Sequence, residues 1–186
     1  SSSFVNSVDN SYISIRKIPK NKLQLEELMI KKNMFDRKIY DYSMERVKAG
    51  VNILLCGKGG SGKTTIINAL LEKVPYDKAA LIIQEAEELH SKHPNMMFQK
   101  KRAKVGENDA EYSLGDLTRF AMTEDLDMIV IGEIKGKEAL SLFKVIGTGH
   151  DGWSSVHANS AKEAVNKLVD YMQEGNAKLS RLSLLK

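Results

Sequence analysis

Gly57-Lys58-Gly59-Gly60-Ser61-Gly62-Lys63-Thr64 fills every slot of the pattern G-x-x-x-x-G-K-[ST], a loop suited to holding phosphate. Glycines let main-chain N–H groups turn inward and approach phosphate oxygens with no Cβ in the way. A helix that begins near Lys63 aims its positive dipole end at the same anion. In that arrangement Lys63 reaches the β- and γ-phosphates of a nucleoside triphosphate, the Thr64 hydroxyl holds Mg²⁺, and Thr65 completes the cradle. The competing explanation is a glycine turn that happens to fit. With glycine at roughly 7% of an average composition, four fixed positions coincide by chance in well under about 1% of chains this long.

Two further groups belong to the same chemistry. Glu133 follows the apolar run Asp127 to Ile131 and Gly132. In parallel sheets ligands gather at the carboxyl ends of strands, so Glu133 is expected beside the phosphate loop, where a carboxylate orients and deprotonates the water that attacks a γ-phosphate. Gly132 stands where many such enzymes carry an Asp that supports Mg²⁺, so metal support is expected from water or another carboxylate. The second group is the pair His150 and His157, on either side of a short glycine turn and a strand. His157, at the strand's end on the ligand-binding edge, is placed to sense the γ-phosphate through a hydrogen bond, and His150 is a second candidate for that role. The bland alternatives are a solvated Glu at a strand end and structural histidines. No Cys or His spacing makes a zinc site.

Strand, loop and helix follow one another as that chemistry requires. Val51 to Cys56 is a short apolar run, and Ile66, Ile67, Leu70, Leu71 and Val74 recur at helical spacing. Further strands are expected over residues 79–84, 96–102, 127–131 and 153–157. Helices are expected over 113–123, with Ser113 and Asp116 as a capping pair, over 137–146, and over 160–173. In the last, Ala161, Ala164, Val165, Leu168, Val169 and Met172 form one stripe, and Ser160 with Glu163 forms a capping box. Strands alternating with helices mean an α/β fold with a mostly parallel sheet covered on both faces. Ahead of it, residues 1–50 read as an appendage. It comprises a strand at 12–17 and two amphipathic helices, one facing inward with Leu25, Leu28 and Met29, the other with Phe35, Ile39, Tyr42 and Val47.

At 186 residues and 42% hydrophobic the chain can bury a real core, and 28% charged residues at a net charge of +4 neither demand nor forbid an anionic partner. No apolar run approaches the roughly 18 residues that span a bilayer, and the N-terminus resembles no signal peptide, so a cytoplasmic protein is expected. Cys56 reads as a small buried hydrophobe and not as a reactive thiol.

The run from Ile13 to Met172 resembles the motor domain of the type II and type IV secretion and pilus-assembly ATPases, within the RecA-like P-loop proteins. Ile13-Ser14-Ile15-Arg16-Lys17 is similar to the strand that joins that family's N-terminal domain to its motor, and Gly57 to Thr65 to its Walker A loop. Gly132-Glu133-Ile134 with Glu138-Ala139 resembles its Walker B strand, and Gly149-His150 through His157-Ala158-Asn159-Ser160 its histidine box. Ile83 to Leu89 resembles its acidic box imperfectly, because Gln84 and Glu85 stand where a Glu-Asp pair is usual. Glu85 and Glu88 are the candidates there for catalysis, and Glu85 for metal support as well. A basic residue common before Walker B is missing from Ala121 to Asp127, which favours a divergent subfamily of the pilus or conjugative kind. The resemblance implies a linker and partial N-terminal domain over residues 1–50 and a C-terminally truncated motor over 51–186. It also implies ATP and Mg²⁺ as ligands and a homo-oligomeric, hexameric ring at the cytoplasmic face of a membrane. That ring would hydrolyse ATP between subunits and act on membrane-embedded secretion or pilus platform proteins.

Phosphoryl transfer needs more positive charge than the loop's one Lys supplies, so an Arg must come from elsewhere. Arg16 is the first candidate, Arg102 the second and Arg119 the third. Two other classes share the core. A DNA-translocating motor would use the basic cluster Lys100-Lys101-Arg102 with Lys104, which has no interleaved aromatics for base stacking. A small-molecule kinase would need an Arg-rich lid that is not seen. A non-hydrolysing switch is disfavoured by Glu133.

Overall fold

A computed structural model of the protein describes residues 23–104 and 110–178. Five strands form one wholly parallel sheet in the order β1-β5-β4-β2-β3. They are β1 (Ile53–Cys56), β2 (Ala80–Gln84), β3 (Met96–Lys100), β4 (Met128–Ile134) and β5 (Asp151–Val156). Every residue of β2 is buried, as expected of a strand covered on both faces. Successive side chains take opposite faces, which sorts the core into two layers. Ala80, Ile82, Met128, Val130 and Trp153 pack with helices α1 (Leu25–Ile30), α2 (Arg37–Lys48) and α3 (Lys63–Leu71). On the other face, Leu81, Ile83 and Ile129 meet α4 (Leu114–Ala121) and α5 (Ala139–Gly147), while Ile131 and Ile134 meet α5 and α6 (Ala161–Gly175).

The strand expected at 12–17 lies outside the described residues. Helices α1 and α2 bury Leu25, Leu28 and Val47 in the cluster that holds Ile67, Leu70 and Leu71 of α3, so a boundary at residue 50 crosses one shared core. The expected face of α2 is corrected. Phe35, Tyr40 and Met44 join Val47 against the core, whereas Ile39 and Tyr42 are exposed, Tyr42 lying beneath the Arg46 guanidinium. A 3.6-residue period carries Tyr40, Met44 and Val47 onto one side and rotates Ile39 and Tyr42 off it.

Both helix starts expected to be capped are capped, but differently. Ser113 and Asp116 form a reciprocal box at α4. At α6 the Ser160 hydroxyl accepts from Glu163 N–H, but the Glu163 carboxylate accepts from Asn159, one residue before the cap, so that box is half made. Val165 and Ala161, placed in the α6 stripe, are exposed, and burial is confined to Ala164, Val169 and Met172. Among the described residues no helix is long and apolar enough to cross a membrane.

Candidate nucleotide site

β1 ends at Cys56, and residues 57–62 turn the chain into α3. Gly60 and Gly62 have φ of +73° and +91°, conformations an L side chain resists, and Gly62 is the N-cap of α3. Met34, from the turn between α1 and α2, lays its Cε where a Cβ on Gly62 would stand, so the appendage touches the loop directly. Lys63 is almost fully buried. Its ammonium donates to the carbonyls of Gly57 at 2.9 Å and Lys58 at 3.1 Å, which curls the loop around its own lysine.

The acidic segment after β2 is anchored by two buried amides that sequence reasoning did not assign. Gln84 accepts from Glu88 N–H at 3.0 Å and Leu89 N–H at 2.8 Å, and donates to the Leu89 carbonyl at 3.0 Å. Asn68, one helical turn beyond Thr64, donates to the Glu88 carbonyl at 3.0 Å and accepts from His90 N–H at 3.0 Å. With its main chain held from both sides, Glu88 brings Oε2 to 3.4 Å from Thr64 Oγ1. The available signals were a Gln closing an otherwise apolar strand and an Asn four residues after Thr64 on one helix face.

Opposite the loop, β4 continues past Ile131 through Ile134, farther than the expected strand end. Ile131 pairs with Ser154 but Ile134 with Val156, so β4 carries one extra residue at positions 132–133. That bulge buries both Ile131 and Ile134 and turns Glu133 toward the loop. His157, just past β5, places Nε2 2.8 Å from Glu133 Oε1, and the Lys135 ammonium lies 3.2 Å from Oε2. The phosphate loop, Glu88, Glu133 and His157 together line a cavity of about 440 Å³ at the carboxyl edge of the sheet.

Other expected residues lie elsewhere. His150 precedes β5 and bonds Thr148 Oγ1 at 2.9 Å. It therefore sits at the opposite end of β5 from His157, about 23 Å away at 3.3 Å per residue, and is not brought to the phosphate loop. Glu85 lines the cavity, but its carboxylate is held by Lys135 at 3.0 Å and Lys101 at 3.2 Å. Those hydrogen bonds, the Lys135 one foremost, hold it below the usual carboxylate range. Glu88 is the carboxylate that stands beside Thr64. Arg102 exchanges main-chain bonds with Tyr112, and the exposed Arg119 side chain lies 3.5 Å from Asp116 on α4. Arg16 lies outside the described residues.

Parallel strands with a glycine loop at the head of a buried helix define an α/β P-loop protein. The family model described as "Type II/IV secretion system protein" matches residues 4–184, and the chain belongs to that family. A putative conjugal transfer protein of Mycobacterium tuberculosis is 36% identical over 118 residues, 63% of this chain and 34% of that protein. The type IV secretion system protein VirB11 of Brucella suis is 33% identical over 121 residues, 63% of this chain and 33% of that protein. The chain thus spans about a third of the length of these relatives. In fold it is similar to the crystal structure of the VirB11 ATPase from the Brucella suis type IV secretion system in complex with sulphate. That match has a TM-score of 0.71 at 23% identity and covers 86% of this chain and 45% of the other.

Proposed function

We propose that this chain carries the hydrolytic site of an ATPase that powers protein secretion, pilus assembly or conjugative transfer. The reading rests on one observation: the phosphate loop, the Thr64 and Glu88 oxygens and the Glu133–His157 pair meet in a single cavity. ATP enters with its γ-phosphate in the loop, and Lys63 exchanges the carbonyls of Gly57 and Lys58 for phosphate oxygens. Glu133 takes a proton from water as the water oxygen bonds the γ-phosphorus and the bond to the ADP oxygen breaks. His157 holds Glu133 Oε1 until the γ-phosphate competes for its Nε2.

A hydroxyl and a carboxylate are hard oxygen donors that suit Mg²⁺, which keeps most of its shell as water and phosphate. Among the described residues no three His, Cys, Asp or Glu side chains gather into a protein-only cage, as that habit of Mg²⁺ allows. When bound there, the ion would neutralise charge on the β- and γ-oxygens.

The extra positive charge is assigned to Arg16 of a neighbouring copy in a hexameric ring. That ring would lie at the cytoplasmic face of a membrane, against secretion or pilus platform proteins. Lys100 and Lys101, on which a DNA-motor reading leaned, are ion-paired with Glu87 and Glu85, which weakens that alternative. The test is Glu133→Gln, measured for ATP turnover and nucleotide affinity. Turnover is expected to fall by 10²-fold or more, an order-of-magnitude loss for a general base, with affinity changed less than about threefold. Undiminished turnover would remove Glu133 as the base.

A further inference from the structure

Lys135 takes no part in the hydrolysis outlined above, yet its ammonium stands between two carboxylates, 3.0 Å from Glu85 Oε2 and 3.2 Å from Glu133 Oε2. The second oxygen of Glu133 faces His157 at 2.8 Å, and the second oxygen of Glu85 faces Lys101 at 3.2 Å. His157, Glu133, Lys135, Glu85 and Lys101 therefore form one run of contacts from the phosphate loop to the residue after edge strand β3, with carboxylates and ammonium groups alternating beyond His157. We infer that Lys135 is a positioning residue that fixes the orientation of the Glu133 carboxylate, and that Glu85, backed by Lys101, fixes Lys135. This rests on the reading of Glu133 as the hydrolytic base.

The physical need is plain. A Glu side chain at a strand end has several rotamers, and a general base works only when its oxygen lies within about 2.6–3.2 Å of the proton it takes. His157 alone restrains one oxygen and leaves the carboxylate free to swing. With Lys135 on Oε2 the plane of the group is set and Oε1 faces His157, beside the loop. The bulge in β4 makes this local, since Glu133 and Lys135 are two residues apart on one face while Ile134 between them is buried. Lys135 is a flexible four-carbon chain, and a lysine bound to Glu133 alone would be loosely held. Glu85, brought alongside by the pairing of β2 with β4, supplies the second hold. These pairs are more than one-third exposed on the lysine side, so they add little to stability and act through orientation.

The test reads His157 directly by NMR titration of its imidazole in the nucleotide-free protein. The charged groups around His157 are Glu133 of β4, with Lys135 behind it; Lys63 of α3, Glu85 and Glu88, which line the same cavity; and Lys167 of α6, which donates to the His157 carbonyl at 2.8 Å. Lys135→Met removes a cation and leaves Glu133 to His157 alone, so the imidazole midpoint is expected to rise by about 0.5 to 1 pH unit. Glu85→Gln gives Lys135 wholly to Glu133, so the midpoint is expected to fall by about 0.2 to 0.5. Lys135→Arg keeps the charge and restores the parent value. A midpoint that does not rise in Lys135→Met, or does not fall in Glu85→Gln, overturns the inference. In turnover, Lys135→Met should lower kcat about tenfold with KM unchanged, and Lys135→Arg should recover most of it. Because the titration uses no nucleotide, opposite shifts in a protein that hydrolyses nothing would refute the proposed function and leave the ladder of charges standing.

Discussion

Gln84 offers the most exacting check on how this site is held together. It is buried, and its three hydrogen bonds reach main-chain groups of Glu88 and Leu89 at 2.8 to 3.0 Å. Gln84→Met keeps the length and removes every bond, leaving the Leu89 N–H and the Leu89 carbonyl without those partners. Each such group costs about 1–3 kcal/mol if it stays dry. The Glu88 N–H keeps its bond to the Ala86 carbonyl at 2.8 Å, so two groups carry the cost, and the expected loss is about 3 kcal/mol. Gln84→Glu keeps an oxygen for both N–H groups, but when ionised it buries a charge and sets its second oxygen against the Leu89 carbonyl, so a loss at least as large is expected at neutral pH. Urea denaturation with linear extrapolation measures both variants. Gln84→Met should also weaken Mg²⁺-dependent nucleotide affinity, because Glu88 no longer faces Thr64. A Gln84→Met loss under about 1 kcal/mol would show that the segment is held by something else, with Asn68 the first suspect.

Two further outcomes can be measured on the nucleotide-free protein. Gly60→Ala and Gly62→Ala each force an L residue to positive φ, at about 1–2 kcal/mol of strain. Gly62→Ala also displaces Met34, but a methionine tip yields readily, so the excess over Gly60→Ala should stay below about 1 kcal/mol and vanish in a Met34→Ala background. Thermal unfolding of the four variants decides this, and an excess that survives Met34→Ala refutes the contact as its cause. Asp127 is held below the usual carboxylate range by Lys78, whose ammonium lies at 2.7 Å, and then by Ala79 N–H at 2.9 Å. A depressed folded pKa means stability present above the unfolded value of about 3.9 and lost as pH falls through it. Asp127→Asn should therefore flatten the stability profile below about pH 4.5. Nearby Asp151 is raised by burial foremost and in part by the Asp127 charge, so the comparison is made in an Asp151→Asn background, which isolates Asp127.

What the sequence made legible was what is local along the chain. The loop at 57–64 carries its own geometry in its glycines, and the buried strands show as apolar runs because both faces of a parallel sheet are covered. His150 was misplaced because a motif groups residues by order, whereas the two ends of β5 face opposite edges of the sheet. Ile39 and Tyr42 were misassigned because a twelve-residue amphipathic helix with apolar residues on two sides leaves its buried face to be chosen by its neighbours. Lys135 went unread because its meaning depends on register. Only the pairing of Ile83 with Ile131 brings the residues after β2 alongside those of the β4 bulge.

The same register joins two departures from the resembled pattern that looked independent in the sequence. A Cβ on Gly132 would stand 3.3 Å from Gln84 Cβ, close enough that Gln84 must give by a few tenths of an ångström, and in ordinary contact with the Ile83 carbonyl at 3.6 Å. The Gly132 carbonyl is itself fixed by Ser155 Oγ at 2.9 Å, so the bulge cannot easily back away. An Asp at 132 and an amide at 84 would therefore compete for one space, and this chain resolves the conflict with glycine at 132. Under the proposed reading, the carboxylate missing from 132 is made good at Glu88, whose main chain the Gln84 amide holds. A Gly132→Asp substitution that supplied a second metal carboxylate would have to shift Gln84 by a few tenths of an ångström, and would strain its hold on Glu88 in doing so.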